Sequence, residues 1–154
     1  MDIKDQYEKI FKYCYSRIAN RDTAEDVTQE TFLRFLEHPE YQKGGKEIQY
    51  LYTIARNLCI DEYRRIPTET LSEEAENIPE QSNGESDWID SIILKNILNR
   101  LPDEEREIIV LRYVSELSVS EIAGIYHISW FTMNRKIKRI LEKMRKEFEE
   151  EGLE

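Results

Sequence analysis

Apolar residues recur at intervals of three and four through most of the chain. No stretch alternates between apolar and polar residues for long enough to predict a convincing β-strand. The first run with intervals of three and four extends from Ile3 to Ile18. This interval places the apolar side chains along one face of an α-helix, and such a face must be buried against another element. The sequence therefore predicts an all-α protein.

Two groups of predicted helices are separated by a segment of different composition. Three helices are predicted within residues 1–66. Residues 67–87 contain two prolines and an Asn-Gly pair and lack any basic residue, which is typical of a flexible acidic linker. Apolar residues become dense again from Trp88. We therefore expect a second helical domain over residues 88–154.

The charge is unevenly distributed along the chain. The formal net charge is −10, yet the stretch from Arg135 to Lys146 holds seven basic residues against the single acid Glu142. Repulsion from the remaining acids should make the free chain a poor DNA binder. A partner is therefore expected to supply or unmask any affinity for DNA.

No pattern predicts a catalytic, metal or cofactor site. His38 and His127 lack partners at ligand spacing, and no glycine-rich phosphate loop occurs. We therefore expect a protein that is not an enzyme and that needs no metal or cofactor. Cys14 and Cys59 each fall within an apolar run, which predicts buried, reduced thiols rather than a disulfide or a redox switch.

The sequence shows no targeting or membrane signal. No apolar run approaches the roughly twenty residues that a membrane span needs, and the N-terminus is polar. The sequence predicts a cytoplasmic protein with no membrane insertion of its own.

Capping signals mark the starts of several predicted helices. Asp22 with Glu25 forms a candidate pair at the second helix, and Ser118 with Glu121 forms a capping box further along the chain. Ser129 is expected to cap the helix that follows it.

The most specific local pattern runs from Leu117 to Met144 and predicts a helix-turn-helix. Ala123 is small enough for a close helix crossing, Ile128 fills the turn, and His127 lies where a left-handed backbone is expected. The outer positions of the second helix carry groups suited to base edges and phosphates, namely Thr132, Asn134, Arg135, Lys138 and Arg139. A helical hairpin with a merely solvated basic face is the alternative.

The third predicted helix carries a second, polar face. Its members are Tyr50, Thr53, Arg56, Asn57, Ile60, Asp61 and Arg64. Aromatic, amide and guanidinium groups on one helix suit unstacked bases and a single-stranded backbone. A solvated face without function is the alternative.

Three segments, in order, resemble the extracytoplasmic-function sigma factors. Tyr50–Arg65 (YLYTIARNLCIDEYRR) resembles their promoter-melting helix, Ala24–His38 their polymerase-binding helix, and Leu101–Ser129 their C-terminal promoter-binding domain. The resemblance implies sigma region 2 within residues 1–66 and sigma region 4 within 88–154. It also implies core RNA polymerase, promoter DNA and an anti-sigma factor as partners.

The resemblance further assigns roles to individual positions. The residues that the resemblance places against the clamp of the polymerase's largest subunit are Asp26, Gln29, Glu30 and Leu33. Contact with the minus-ten element falls to Tyr50, Arg56, Asn57, Asp61 and Arg64, with a flipped base entering a pocket near the loop Tyr41–Lys46. Recognition of the minus-thirty-five element falls to Thr132, Asn134, Arg135, Lys138 and Arg139.

The chain departs from the family pattern at two places. Tyr50 stands where the family often has tryptophan, which keeps an aromatic platform. Trp130 and Phe131 replace a small pair, and their rings suggest contact with a protein such as an anti-sigma factor. Two other functions stay open: a stand-alone helix-turn-helix regulator, and a polymerase-binding protein without promoter recognition.

Overall fold

A computed structural model describes residues 2–65 and 85–152 of the chain. These residues form seven α-helices and no β-strand, so the predicted all-α fold is confirmed. The helices are α1 (Ile3–Ile18), α2 (Arg21–Glu37), α3 (Glu47–Arg65), α4 (Glu85–Arg100), α5 (Asp103–Ile109), α6 (Val119–Tyr126) and α7 (Trp130–Gly152). Most of the predicted linker, residues 67–84, lies outside the described residues. α4 begins slightly before Trp88, within the segment predicted as linker.

The first three helices pack into a bundle whose core is aromatic and aliphatic. Ile10, Tyr13, Phe35 and Leu51 are all buried in it. α1 ends where Ala19 adopts a left-handed backbone with φ 59°.

The cap of α2 differs from the predicted one. The Asn20 side chain accepts a hydrogen bond from the Thr23 N–H at 3.0 Å, and α2 begins at Arg21. The predicted pair of Asp22 and Glu25 is therefore wrong, because Asn20 precedes it and already satisfies the first turn.

α6 and α7 form the predicted helix-turn-helix. Ser118 and Glu121 make both hydrogen bonds of the capping box, at 3.1 and 2.8 Å. His127 ends α6 with a left-handed backbone at φ 58°, as predicted. The Thr132 N–H donates to the Ser129 hydroxyl at 3.1 Å, so the predicted cap of α7 is confirmed. Met133 and the other inner residues of α7 are buried against the rest of the domain.

A π-helical turn, Val110–Val114, extends α5 and leads to Glu116, whose φ is 62°. Its residues contact α1, and α6 packs against α3. The N-terminal bundle and the C-terminal helices therefore share an interface in this structure. None of the described helices is both long and apolar enough to span a membrane.

Candidate polymerase and nucleic-acid interfaces

The outer face of α2 carries the residues predicted to contact polymerase. Asp26, Gln29 and Leu33 are exposed, and Leu33 keeps 56% of its surface accessible. Glu30 is half-buried and pairs with Arg34 at 2.9 Å. Leu36, also half exposed, extends the apolar part of this face. The helix thus presents leucines beside acidic side chains, a combination that suits a partner surface with apolar and basic groups.

The outer face of α3 presents Asn57, Asp61 and Arg64 to solvent. Their spacing of four and three residues places them in one stripe along the helix. Tyr50 lies seven residues before Asn57, about two helical turns away, where it is half-buried and contacts the Tyr41 ring. The two ring centroids are 4.9 Å apart and the ring planes are tilted by 31°.

The loop before α3 holds the other half of this aromatic pair. A 3₁₀ turn, Pro39–Gln42, carries Tyr41, and Gly44 and Gly45 follow with φ of 84° and 75°. Both glycines adopt the left-handed region that residues with a Cβ rarely enter. His38 also contacts the Tyr41 ring, at a centroid distance of 4.9 Å. The sequence pattern showed only that His38 lacks a partner at ligand spacing, so its place in this row of rings was missed.

Arg56 does not share the outer face of α3. At about 100° per residue it lies about 120° around the helix from Tyr50. Its guanidinium points toward the C-terminal helices and contacts Glu107 at 3.1 and 3.2 Å. It also lies over the Tyr126 ring, 4.5 Å from the centroid. The prediction of one face for Tyr50, Arg56 and Asn57 is therefore wrong in this arrangement of the domains.

Glu107 is the centre of a buried polar cluster between the two halves of the chain. Its side chain is only 1% exposed. The Tyr13 hydroxyl donates to its carboxylate at 2.6 Å, and Arg17 and Tyr126 also donate to it. Burial raises the pKa of the Tyr13 hydroxyl well above its usual range, and the negative charge of Glu107 adds to the rise. No local pattern could reveal this cluster, because its members come from α1, α3, α5 and α6.

The outer face of α7 exposes the cations that were predicted to contact DNA. Arg135, Lys138 and Arg139 are exposed, whereas Thr132 and Asn134 are half-buried. Lys138 and Arg139 form no ion pair with any residue that the structure describes. Part of the cationic stripe is neutralised elsewhere: Lys136 pairs with Glu104 at 2.9 Å and Lys143 with Glu105 at 3.3 Å.

Two large rings stand at the start of α7. Trp130 is 46% exposed and Phe131 is 72% exposed. They contact each other edge to face, with centroids 5.2 Å apart. An exposed apolar pair of this size is typical of a contact surface.

The cysteines lie within the N-terminal bundle. Cys14 and Cys59 are both buried and free, so the predicted buried thiols are confirmed. A hydrogen bond with Cys14, together with burial, raises the pKa of the Cys59 thiol. Among residues 2–65 and 85–152, no group of three or more His, Cys, Asp or Glu side chains is arranged to hold a metal ion.

Comparison with known proteins covers both halves of the chain. The Sigma-70 region 2 family matches residues 3–66, and the Sigma-70 region 4 family matches residues 97–146. The chain is 33% identical over 162 residues to the ECF RNA polymerase sigma factor SigW of Bacillus subtilis, an alignment that covers 95% of this chain and 87% of SigW. It is 35% identical over 132 residues to the ECF RNA polymerase sigma factor BldN of Streptomyces coelicolor, covering 79% of this chain and 49% of BldN.

The fold has a solved counterpart. The sigma factor RpoE from Bartonella quintana, crystallised with the anti-sigma factor NepR, superimposes with a TM-score of 0.65 at 21% identity. That superposition covers 94% of this chain and 92% of RpoE. With both sigma regions matched in order and relatives aligned over nearly the whole chain, the protein belongs to the extracytoplasmic-function family of RNA polymerase sigma factors.

Proposed function

We propose that this sigma factor directs core RNA polymerase to promoters whose minus-ten region it opens with the outer face of α3. The observation that carries the proposal is the exposed stripe of Asn57, Asp61 and Arg64, with the ring of Tyr50 on the same side of the helix about two turns before Asn57. Donors, acceptors and a cation next to an aromatic platform match what single-stranded bases and phosphates need. A regulator that binds only duplex DNA has no use for such a face.

The polymerase contact is assigned to α2. Asp26, Gln29, Glu30 and Leu33 lie together on its outer face, away from the bundle core. The exposed leucine supplies apolar contact area, and the acidic groups favour a basic partner surface. We propose residues 1–66 as the unit that binds polymerase and the minus-ten element, which the region 2 match supports.

The minus-thirty-five contact is assigned to α7, within residues 88–154. Arg135, Lys138 and Arg139 are exposed along the second helix of the helix-turn-helix, with Thr132 and Asn134 beside them. Such a helix docks in the major groove with its N-terminal residues toward the base edges. The acidic segment of residues 67–87 would join the two units.

Trp130 and Phe131 are proposed as a protein contact rather than a DNA contact. Their exposure and their large apolar area fit an anti-sigma factor, the type of protein bound by RpoE in the solved complex. A sigma factor acts in the compartment that holds core polymerase and the chromosome, and the polymerase carries out the chemistry. We therefore propose a cytoplasmic protein that is not an enzyme.

Transcription in vitro tests the proposed function directly. Core polymerase supplemented with the chain should start at a restricted set of genomic sites, mapped by sequencing RNA 5′ ends, where core alone starts at none. Leu33→Asp should abolish these starts, because it places a charge in the apolar contact. Glu8→Gln, at an exposed position on α1, is the matched control and should leave them unchanged.

Two results would contradict the proposal. Tight sequence-selective binding of duplex DNA by the chain alone, without new starts, would indicate a stand-alone regulator. Binding to core polymerase without new starts would indicate an interaction protein that lacks promoter recognition.

A further inference from the structure

A buried carboxylate between the two halves of the chain requires explanation. Glu107 is 1% exposed, and an ion in that position is stable only when its charge is compensated and its oxygen atoms are hydrogen-bonded. Arg56 and the Tyr126 hydroxyl donate hydrogen bonds to Oε1 of Glu107. The Tyr13 hydroxyl and Arg17 donate to Oε2, which also lies 3.2 Å from Nε of Arg56. The carboxylate is therefore fully satisfied only while these helices stay together.

The cations and the anion come from opposite sides of the interface. Arg17 lies on α1 and Arg56 on α3, both in the N-terminal bundle, whereas Glu107 lies on α5. If the C-terminal helices move away, the bundle keeps two guanidinium groups aimed at one point, with the Tyr13 hydroxyl beside them. Guanidinium groups bind phosphate with the same geometry as carboxylate. The empty position would therefore accept a phosphate.

Two other contacts lie at the same interface. Lys9 pairs with Glu116 at 2.9 Å, but the Glu116 side chain is 68% exposed, so solvent screens the pair. A Cβ on Gly124 of α6 would lie 2.4 Å from the side-chain amide of Gln49 on α3. The Gln49 side chain thus fills the space beside Gly124, and only a side chain as large as phenylalanine there would displace it and push the two helices apart.

We infer that Glu107 holds the free chain closed by occupying an arginine pair, Arg17 and Arg56, that binds a phosphate of single-stranded DNA once the two domains part. The nucleic-acid part of this inference rests on the proposed function. It adds Arg17, which no sequence pattern singles out, to the DNA-binding surface. It also assigns Arg56 two successive partners, which are Glu107 in the closed chain and DNA in the open chain.

Only open molecules can bind single-stranded DNA at this site. The apparent affinity is therefore the affinity of the open chain multiplied by the fraction of molecules that are open. Glu107→Gln keeps the shape of the side chain but removes its charge, which leaves Arg17 and Arg56 without a counter-ion in a poorly hydrated interface. This variant should open the chain. Glu8→Gln removes the same charge from an exposed position on α1 and is the matched control.

The first measurement is the radius of gyration by small-angle X-ray scattering. A compact chain of this length has a radius of about 15 Å. Wild type and Glu8→Gln should lie near that value, whereas Glu107→Gln should be several ångströms larger with an unchanged helical circular dichroism spectrum. Gly124→Phe, which leaves Glu107 charged but pushes α6 away from α3, should give the same expansion. If both interface variants stay as compact as wild type, the inference is overturned.

The second measurement is binding of a fluorescein-labelled 20-nucleotide oligo(dT) to the full chain. Glu107→Gln and Gly124→Phe should each bind at least about tenfold more tightly than wild type, equivalent to about 1.4 kcal/mol of closure. Adding Arg17→Gln to Glu107→Gln should reverse most of the gain, since half of the phosphate site is lost. An expanded Glu107→Gln chain that binds no better than Glu8→Gln would refute the arginine pair as a phosphate site.

These outcomes are independent of the proposed function. Wild-type chain that starts transcription with core polymerase, but whose interface variants neither expand nor gain affinity, would refute only the closure by Glu107. Variants that expand and bind oligo(dT), in a chain that starts no transcription, would refute only the sigma activity.

Discussion

Asn57 is the residue of α3 best placed to read a base in the opened strand. It is exposed, and its amide offers both donors and an acceptor. Tyr50 supplies a ring for stacking, which contributes roughly 1–3 kcal/mol per base. We expect Asn57→Ala and Tyr50→Ala each to lower the permanganate reactivity of minus-ten thymines in complexes with core polymerase. Lys12→Ala, exposed on α1, is the control, and unchanged reactivity in both test variants would refute the assignment of this face.

At the residue scale, sequence analysis located the side chains of α3 but not all of their directions. The spacing of Asn57, Asp61 and Arg64 is a property of the helix and could be predicted. Arg56 was assigned to the same face because its chemistry matched, although helix geometry turns it away. Glu107 could not be selected at all, since Tyr13 and Arg56 lie 94 and 51 residues from it along the chain. Only the tertiary contacts distinguish it from the many solvated glutamates.

At the scale of the element, we propose that different residues of α7 recognise bases and bind phosphates. Arg135→Ala should cost about 1–3 kcal/mol in promoter binding and relax specificity at one minus-thirty-five position. Lys138→Ala should weaken all sequences alike and flatten the salt dependence by about one unit of slope. Competition of the holoenzyme with promoters altered at single positions measures both. Lys143→Ala is the control, because Lys143 pairs with Glu105 instead. Equal loss on every promoter for Arg135→Ala would show that this arginine contacts only phosphate.

The N-terminal turn of α7 carries a different prediction. Trp130→Ala combined with Phe131→Ala removes an exposed apolar pair. We expect the double variant to weaken binding to an anti-sigma partner more than binding to the minus-thirty-five element, since apolar rings contribute most in buried protein contacts. Both affinities must be measured on the same preparation with its helix content verified. Loss of promoter binding with partner binding intact would show instead that the rings contact DNA.

Helix ends were predictable where the capping chemistry was complete. Ser118 and Glu121 form a reciprocal pair, and His127 tolerates the left-handed backbone that ends α6. At α2 the same logic failed, because Asn20 lies earlier in the chain and captures the first turn. A capping motif therefore predicts that a helix starts, whereas the choice among neighbouring polar residues depends on where the preceding helix stops.

At the scale of the whole molecule, the contact between the domains could not be predicted from the composition of the linker. An acidic, proline-containing segment predicts two independent units, and periodicity within each unit predicts only its own core. The interface contains a buried ion cluster and the contact between Gln49 and Gly124, and neither leaves a periodic signal. The sequence therefore predicted the helices and the two groups they form, but not the face that joins them.

The charge of the whole chain limits what it can bind alone. With a net charge of −10, long-range repulsion opposes approach to duplex DNA, although Arg135, Lys138 and Arg139 are exposed. We expect weak, salt-sensitive binding of duplex promoter DNA by the free chain and strong binding once core polymerase is added, measured by fluorescence anisotropy at physiological salt. Nanomolar, sequence-selective duplex binding by the free wild-type chain would contradict the sigma mechanism, since promoter recognition would then need no polymerase.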